Sequence, residues 1–252
     1  LCTAIAYLFV CLVSNASLRR RGRQAVTSPS KIFIAVSAAH NVALIAISLF
    51  LAIGTTRELI PYWTGLYDFV CPLPVPVPQP LGGPVHAWTY LTYVSKYYEL
   101  LDTAFIIVRR RRVIPLHMFH HASMPMAMWL MFYGEQMQSL IGVAVVNSSV
   151  HVVMYFYYLV TVIHPDLVLP RAKRAVTQLQ LLQFSVGLLG NMYWFSQVLA
   201  ELQWTSSGFH WKSRCRGNLG IGIIALSMNL MLTLLFSQFY VKTYLKASNK
   251  RE

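Results

Sequence analysis

Apolar residues run along this chain in seven stretches long enough to cross a bilayer, at about 1–18, 31–54, 87–108, 115–133, 139–163, 175–198 and 217–241. About 20 apolar residues in a helix span the hydrocarbon. The pattern therefore predicts an all-α polytopic membrane protein, with seven transmembrane helices forming one domain over residues 1–252. Only the third stretch carries charge in its interior, at Lys96, Glu99 and Asp102. The longest polar interval, 55–86, holds Pro72, Pro74, Pro76, Pro78 and Pro80, and alternate prolines favour an extended strap over a span. Pro115 suits a helix start, and Pro125 is expected to bend the fourth span.

Composition agrees with this reading. Of 252 residues, 56% are hydrophobic and 12% charged, more apolar than a soluble domain of this length. The net charge of +13 suggests nucleic acid until the basic residues are mapped onto the loops. With residue 1 outside the cytoplasm, 16 of the 21 basic residues fall on the cytoplasmic side, in clusters after the first, third and fifth spans and in the C-terminal tail. That is the positive-inside bias of a membrane protein, with a cytoplasmic C-terminus and no nucleic-acid partner. Arg19 to Arg23 follow the first apolar stretch, the flank of a membrane span rather than of a cleavable signal. The cysteines show no metal spacing. Cys71 and Cys215 fall in loops on the non-cytoplasmic side, where a disulfide between them is expected if that compartment is oxidising.

The polar residues inside the spans form stripes. His117, His120 and His121 share one helical face, as do Lys96, Glu99, Asp102 and Thr103. Asn147, His151, Tyr155 and Tyr158 form a third stripe, and Thr177, Gln180 and Gln183 a fourth. The charged residues on the third span read equally as a self-compensated ion pair or as the lining of a site. Any one of the other polar groups would be ordinary interhelical glue. Four stripes on successive spans point to one shared interior pocket.

These motifs, Lys-x-x-Glu-x-x-Asp-Thr, His-x-x-His-His, His-x-x-Met-Tyr-x-Tyr-Tyr and Thr-x-x-Gln-x-x-Gln, occur in that order between Lys96 and Gln183. In this the chain resembles the ELO family of membrane fatty-acid elongases. The resemblance implies a ring of helices around a narrow acyl tunnel in the endoplasmic reticulum membrane. It also implies condensation of a long-chain acyl-CoA with malonyl-CoA, releasing CO2 and CoA, with no bound cofactor and no metal. Homo-oligomers and the reductases and dehydratase of the elongation cycle are the implied partners, beside the lipid bilayer itself.

No cysteine lies near the predicted pocket, so imidazole is the candidate nucleophile. His120 is expected to carry the acyl group, His121 and His151 to place the malonyl carbonyl, and His117 to act as acid, base or orienter. Asn147, Gln180 and Gln183 are candidate oxyanion donors, with Tyr155 and Tyr158 on the substrate wall. Lys96 is a candidate anion ligand, Glu99 and Asp102 are candidates to fix histidine tautomers, and Arg109 and Arg112 to hold CoA phosphates. Two rival readings are a di-iron desaturase or hydroxylase and a seven-span lipid receptor or transporter. The first needs more clustered histidines than the four that gather on the polar spans.

Overall fold

The computed structural model describes residues 1–20, 29–62, 65, 71, 83–133, 137–167, 169–200, 202–205, 208–211 and 218–246. Among them are eight α-helices: α1 (Cys2–Arg20), α2 (Lys31–Leu59), α3 (Pro84–Tyr98), α4 (Leu101–Val108), α5 (Pro115–Tyr133), α6 (Met137–Ile163), α7 (Pro170–Ala200) and α8 (Leu219–Tyr240). A π-helical turn, Val241–Leu245, extends α8. Local sequence explains the starts. The Ser30 hydroxyl and the Asn218 side-chain oxygen accept from Phe33 N and Ile221 N, each at 3.2 Å, and so cap α2 and α8. Prolines open α3, α5 and α7, where the missing N–H has no helical partner to lose. Pro125 lies inside α5, which runs through it to Tyr133.

Two departures from the all-helical, seven-stretch expectation stand out. The third stretch is two helices, α3 and α4, meeting at Glu99 and Leu100. A short antiparallel hairpin, β1 (Leu202–Thr205) with β2 (Gly208–Trp211), follows α7. Its aromatic and β-branched residues at 204, 205, 209 and 211 favour the extended chain.

Helix contacts form a closed cycle, α2 to α6 to α7 to α8 to α5 to α3 and back to α2, with α1 packed on α5 outside it. Close approach in the cycle depends on two glycines: a methyl group at Gly54 would occupy the Trp88 ring, and one at Gly222 the Trp194 ring. Polarity is inverted relative to a soluble bundle. Phe9, Leu49, Phe50, Ile53, Phe156, Leu182 and Leu189 are exposed, whereas Lys96, Glu99, Thr103, Asn147 and His151 are buried. That arrangement suits hydrocarbon outside and a polar site inside.

Four segments are long and apolar enough to cross a bilayer by length and composition: Cys2–Arg20, Lys31–Leu59, Ile141–Ile163 and Leu219–Leu245. The chain is a multi-pass membrane protein. α3 and α4 fall short by length, at 15 and 8 residues, whereas α5 and α7 are long enough and carry polar stripes, the three histidines on α5 and Thr177, Gln180 and Gln183 on α7. In α5 and α7 these polar residues lower the apolar signal that would mark a span.

Cys71 is disulfide-bonded and fully buried against Trp194 and Val198 of α7, while Cys2 and Cys11 are free. Cys215 and the proline strap at 72–80 lie outside the described residues. Peptide mapping without reductant is expected to recover Cys71 joined to Cys215; alkylation of Cys215 in unreduced protein would rule that pairing out.

Candidate active site

The break between α3 and α4 arises within the Lys-x-x-Glu-x-x-Asp-Thr motif. There the N–H groups of Leu100, Asp102 and Thr103 bond to carbonyls three residues back, at 3.2, 3.1 and 3.2 Å. Tightened turns of this kind inside a helical run often mark functional positions.

Four side chains around the break close a hydrogen-bonded circuit. Lys96 Nζ donates to Glu99 Oε1 at 2.7 Å and to Asn147 Oδ1 at 2.6 Å. The Lys96 bond fixes the Asn147 amide, so its Nδ2 donates to His151 Nε2 at 3.2 Å. His151 is thereby the tautomer with its proton on Nδ1, which faces Glu99 Oε1 at 3.4 Å. All four residues are buried. Lys96 is spent on this circuit and is not part of the cavity wall, so of its two sequence readings the internal ion pair holds. Both ring nitrogens of His151 are occupied as well.

Asp102 does not reach the histidine box. Its Oδ1 pairs with His40 Nε2 at 2.8 Å, and its Oδ2 accepts from the Tyr155 hydroxyl at 2.8 Å. One carboxylate thus joins α2, α4 and α6. His40 is the residue sequence reasoning passed over as isolated. The available signal was a histidine inside an apolar span, where an ionisable group needs a partner.

On α5 the three histidines diverge in their surroundings. His117 Nε2 lies 2.9 Å from the Thr103 hydroxyl, and its ring stacks on His121 with centroids 4.1 Å apart. His120 stands nearly perpendicular to His121, at 5.3 Å and 85°, and edge-on to Phe184 at 6.1 Å. His120 Nδ1 is buried with no hydrogen-bond partner among the described residues. A buried, unpaired ring nitrogen costs folding energy and marks a group kept for something else.

Most of these groups, Lys96 and Thr103 excepted, face one cavity of about 400 Å³, walled by α2, α4, α5, α6, α7 and α8. It brings His40, Glu99, Asp102, His117, His120, His121, Asn147, His151, Tyr155, Tyr158, Gln180 and Gln183 to one surface. A second chamber of about 160 Å³ shares Asn147, Gln183 and Phe184 with the first and extends between α5, α6, α7 and α8 to Trp194. Its walls are mostly Met, Gly, Val and Leu. Gln180 Nε2 points at the Met154 sulfur, 3.0 Å away, and Gln183 stands where the two chambers meet.

Cations cluster at the opposite end of the larger cavity, where Arg109, Arg111 and Lys173 line the wall. Arg112 is exposed and off that wall, so of the expected pair Arg109 and Arg112 only Arg109 lines the cavity, and Arg111 stands there in place of Arg112. Arg110 has φ 52°, a left-handed conformation that costs a non-glycine residue about 1–2 kcal/mol. It is held by Arg110 N to Ile107 O at 2.8 Å and Arg111 N to Ile106 O at 3.1 Å, the bonding of a Schellman helix end. Arg109 Nε is buried and unpaired among the described residues, and burial, then the neighbouring Arg111, lowers its pKa. Lys173, at the start of α7, was missed because its loop cluster is explained by membrane orientation alone. Among the described residues no group of three histidine, cysteine or acidic side chains is arranged to hold a metal ion.

A family model described as ELO, the GNS1/SUR4 family, matches residues 1–252. The chain belongs to the ELO family. It is 27% identical over 252 residues to fatty acid elongase sre1 of Dictyostelium discoideum, covering 99% of this chain and 85% of that protein. It is 28% identical over 254 residues to very long chain fatty acid elongase 5 of Xenopus laevis, covering 97% and 75%. With the Bos taurus protein of that name it shares 32% over 224 residues, covering 84% and 66%. For this ELO-family chain, fatty-acid elongation is the general activity, and the cavity is where its polar residues converge.

The circuit makes its own test. Lys96→Met leaves the Glu99 carboxylate buried without its cation and is expected to cost about 3–5 kcal/mol. Adding Glu99→Gln is expected to restore most of that loss. Thermal unfolding midpoints in detergent measure both, and a double variant no more stable than the single one would break the pairing.

Proposed function

We propose that this chain is the condensing enzyme of elongation, a 3-ketoacyl-CoA synthase with seven membrane-spanning helices in the endoplasmic reticulum and a cytoplasmic C-terminus. The carrying observation is His120, whose Nδ1 is buried and unpaired beside the shared wall residue Phe184. The apolar chamber of Met, Gly and Leu residues suits the acyl tail. Arg109, Arg111 and Lys173 suit the phosphates of CoA, as charge-assisted donors.

In the first half-reaction His120 Nδ1 attacks the acyl thioester carbonyl. The carbon–sulfur bond breaks, CoA leaves as thiolate and takes up a proton, and the acyl group remains on the imidazole. Malonyl-CoA then loses CO2, and the electrons of the broken carbon–carbon bond form an enolate. The enolate carbon attacks the acyl carbonyl, the carbon–nitrogen bond breaks, and His120 returns to its starting form. The product is a 3-ketoacyl-CoA two carbons longer. The balance requires no reductant and no bound cofactor; reductases and a dehydratase are the partners that would complete the cycle.

The histidines divide unequally in this scheme. His151 is engaged at both nitrogens, so it acts by holding Asn147, whose second N–H remains to stabilise an oxyanion. His121, with its ring against His117 and edge-on to His120, is left to meet the malonyl carbonyl. His117 orients that stack.

Purified protein given labelled malonyl-CoA and a panel of C16 to C22 acyl-CoAs, without NADPH, is expected to accumulate 3-ketoacyl-CoA. His120→Ala is expected to abolish it, and acid-quenched wild type incubated with acyl-CoA alone is expected to carry the acyl group on the peptide containing His120. Label on another residue, or a folded wild type inert with every chain length, would refute this assignment.

A further inference from the structure

The helix outside the ring carries polar contacts that its membrane-anchor position does not explain. On the inner face of α1, Tyr7, Cys11 and Asn15 follow one another at steps of four. The Tyr7 hydroxyl lies 2.9 Å from Thr103 Oγ1, and Thr103 Oγ1 lies 2.9 Å from His117 Nε2. Asn15 clamps the loop before α5, donating from Nδ2 to Val113 O at 2.9 Å and accepting from Val113 N at 3.0 Å. These two bonds, with Tyr7, Cys11, Val113 and Ala122 in one buried cluster, set the height of α1 against α5.

Thr103 is unusual among the threonines of the helices. Thr55, Thr89, Thr92, Thr177 and Thr233 all donate to the carbonyl four residues back on their own helix, the default for a threonine with no better partner. Thr103 turns away from that carbonyl and bridges Tyr7 and His117 instead. A hydroxyl has one proton. When Tyr7 donates to Thr103, the Thr103 proton is directed at His117 Nε2, and His117 carries its own proton on Nδ1. The ring so fixed is the one stacked on His121 at 4.1 Å, which in turn stands against His120.

From this arrangement we infer that Tyr7 is a positioning residue for the histidine box, acting through Thr103 to fix the tautomer and plane of His117. The inference rests on the proposed condensation only for its kinetic readout. Without the Tyr7 hydroxyl, Thr103 returns to its own helix carbonyl and His117 Nε2 loses its partner. Tyr7→Phe removes a single oxygen and keeps the ring that packs near His121, with centroids 6.3 Å apart, so the fold is retained.

The test uses full-length wild type, Tyr7→Phe, Thr103→Val and the double variant. Tyr7→Phe is expected to lower kcat for condensation about 10-fold with KM little changed, the scale of a modest misorientation. It is expected to add nothing in the Thr103→Val background. A readout independent of activity is the rate at which diethyl pyrocarbonate modifies His117, followed by peptide mass spectrometry with the exposed His164 as internal standard. Tyr7→Phe should raise the His117 rate severalfold and leave His164 unchanged. An unchanged His117 rate, or additive effects of Tyr7→Phe and Thr103→Val, overturns the inference. If wild type shows no condensation, the proposed function fails, while the His117 modification rate still decides the role of Tyr7.

Discussion

A lysine ammonium buried inside a membrane protein constrains what surrounds it. Lys96 is 3% exposed, and an unpaired charge at that depth would cost several kcal/mol. Glu99 offsets the charge, and Asn147 and His151 complete the hydrogen bonding. The circuit has consequences in both directions along the chain. It requires the α3–α4 run to break after Tyr98, so that Glu99 lies on a tightened turn facing both Lys96 and α6. It also fixes α6 in rotation, because Asn147 and His151, one turn apart, must both reach it. Tyr155, one further turn along, then meets Asp102, and that carboxylate ties in His40 of α2. The contacts across the centre of the ring thus descend from one buried cation.

This arrangement separates the polar residues into two kinds. Lys96, Glu99, Asn147 and His151 are matched to one another, Asp102 to His40 and Tyr155, and Thr103 to Tyr7 and His117, which rigidifies the wall. His120 is left with an unmatched nitrogen, and His121 stands beside it. Among the described residues the unmatched buried atoms on the cavity wall are His120 Nδ1, Arg109 Nε and Ser37 Oγ, and of these His120 is the one that stands among the histidines. That difference explains why four histidines need not mean four equivalent actors or a metal centre.

Much of this was legible in the sequence, and the residues show why. Helical spacing is a strict geometric rule, and it brings the stripes at 117–121, 147–158 and 177–183 to one cavity, whereas of the stripe at 96–103 only Glu99 and Asp102 reach that wall. The start of α5 was read from Pro115, and Ser30, Pro84 and Asn218 open their helices by the same kind of local chemistry. What was hidden depends on contacts between distant segments. The pairing of Asp102 with His40 across 62 residues has no local signature. Neither has the tie from Tyr7 to Thr103 across 96. The choice of Arg111 over Arg112 for the cavity wall is set by the positive φ at Arg110, which redirects successive side chains in a way no charge count reveals. The break after Tyr98 was masked because the helical period continues across it. The apolar measure of a span was itself weakened by the site, since α5 and α7 carry inward imidazoles and amides where a plain span would carry leucine.

The two chambers divide the problem of holding an amphiphile. Their shared wall, Asn147, Gln183 and Phe184, is where apolar Met and Gly surface gives way to imidazole, amide and carboxylate. A long-chain thioester has the same division: an alkyl tail, then a reactive carbonyl, then a polyanionic carrier. Cations stand at the far end of the larger cavity, past the histidines, so tail, carbonyl and phosphates can be satisfied together only in one direction. On the proposed condensation, the order chamber, histidines, arginines would fix the direction in which the thioester enters. A ligand inserted the other way would place phosphate against Trp194 and leave Arg109 without a partner. Among its described residues the wall of the larger cavity carries four imidazoles from α5 and α6, one from α2 and no cysteine.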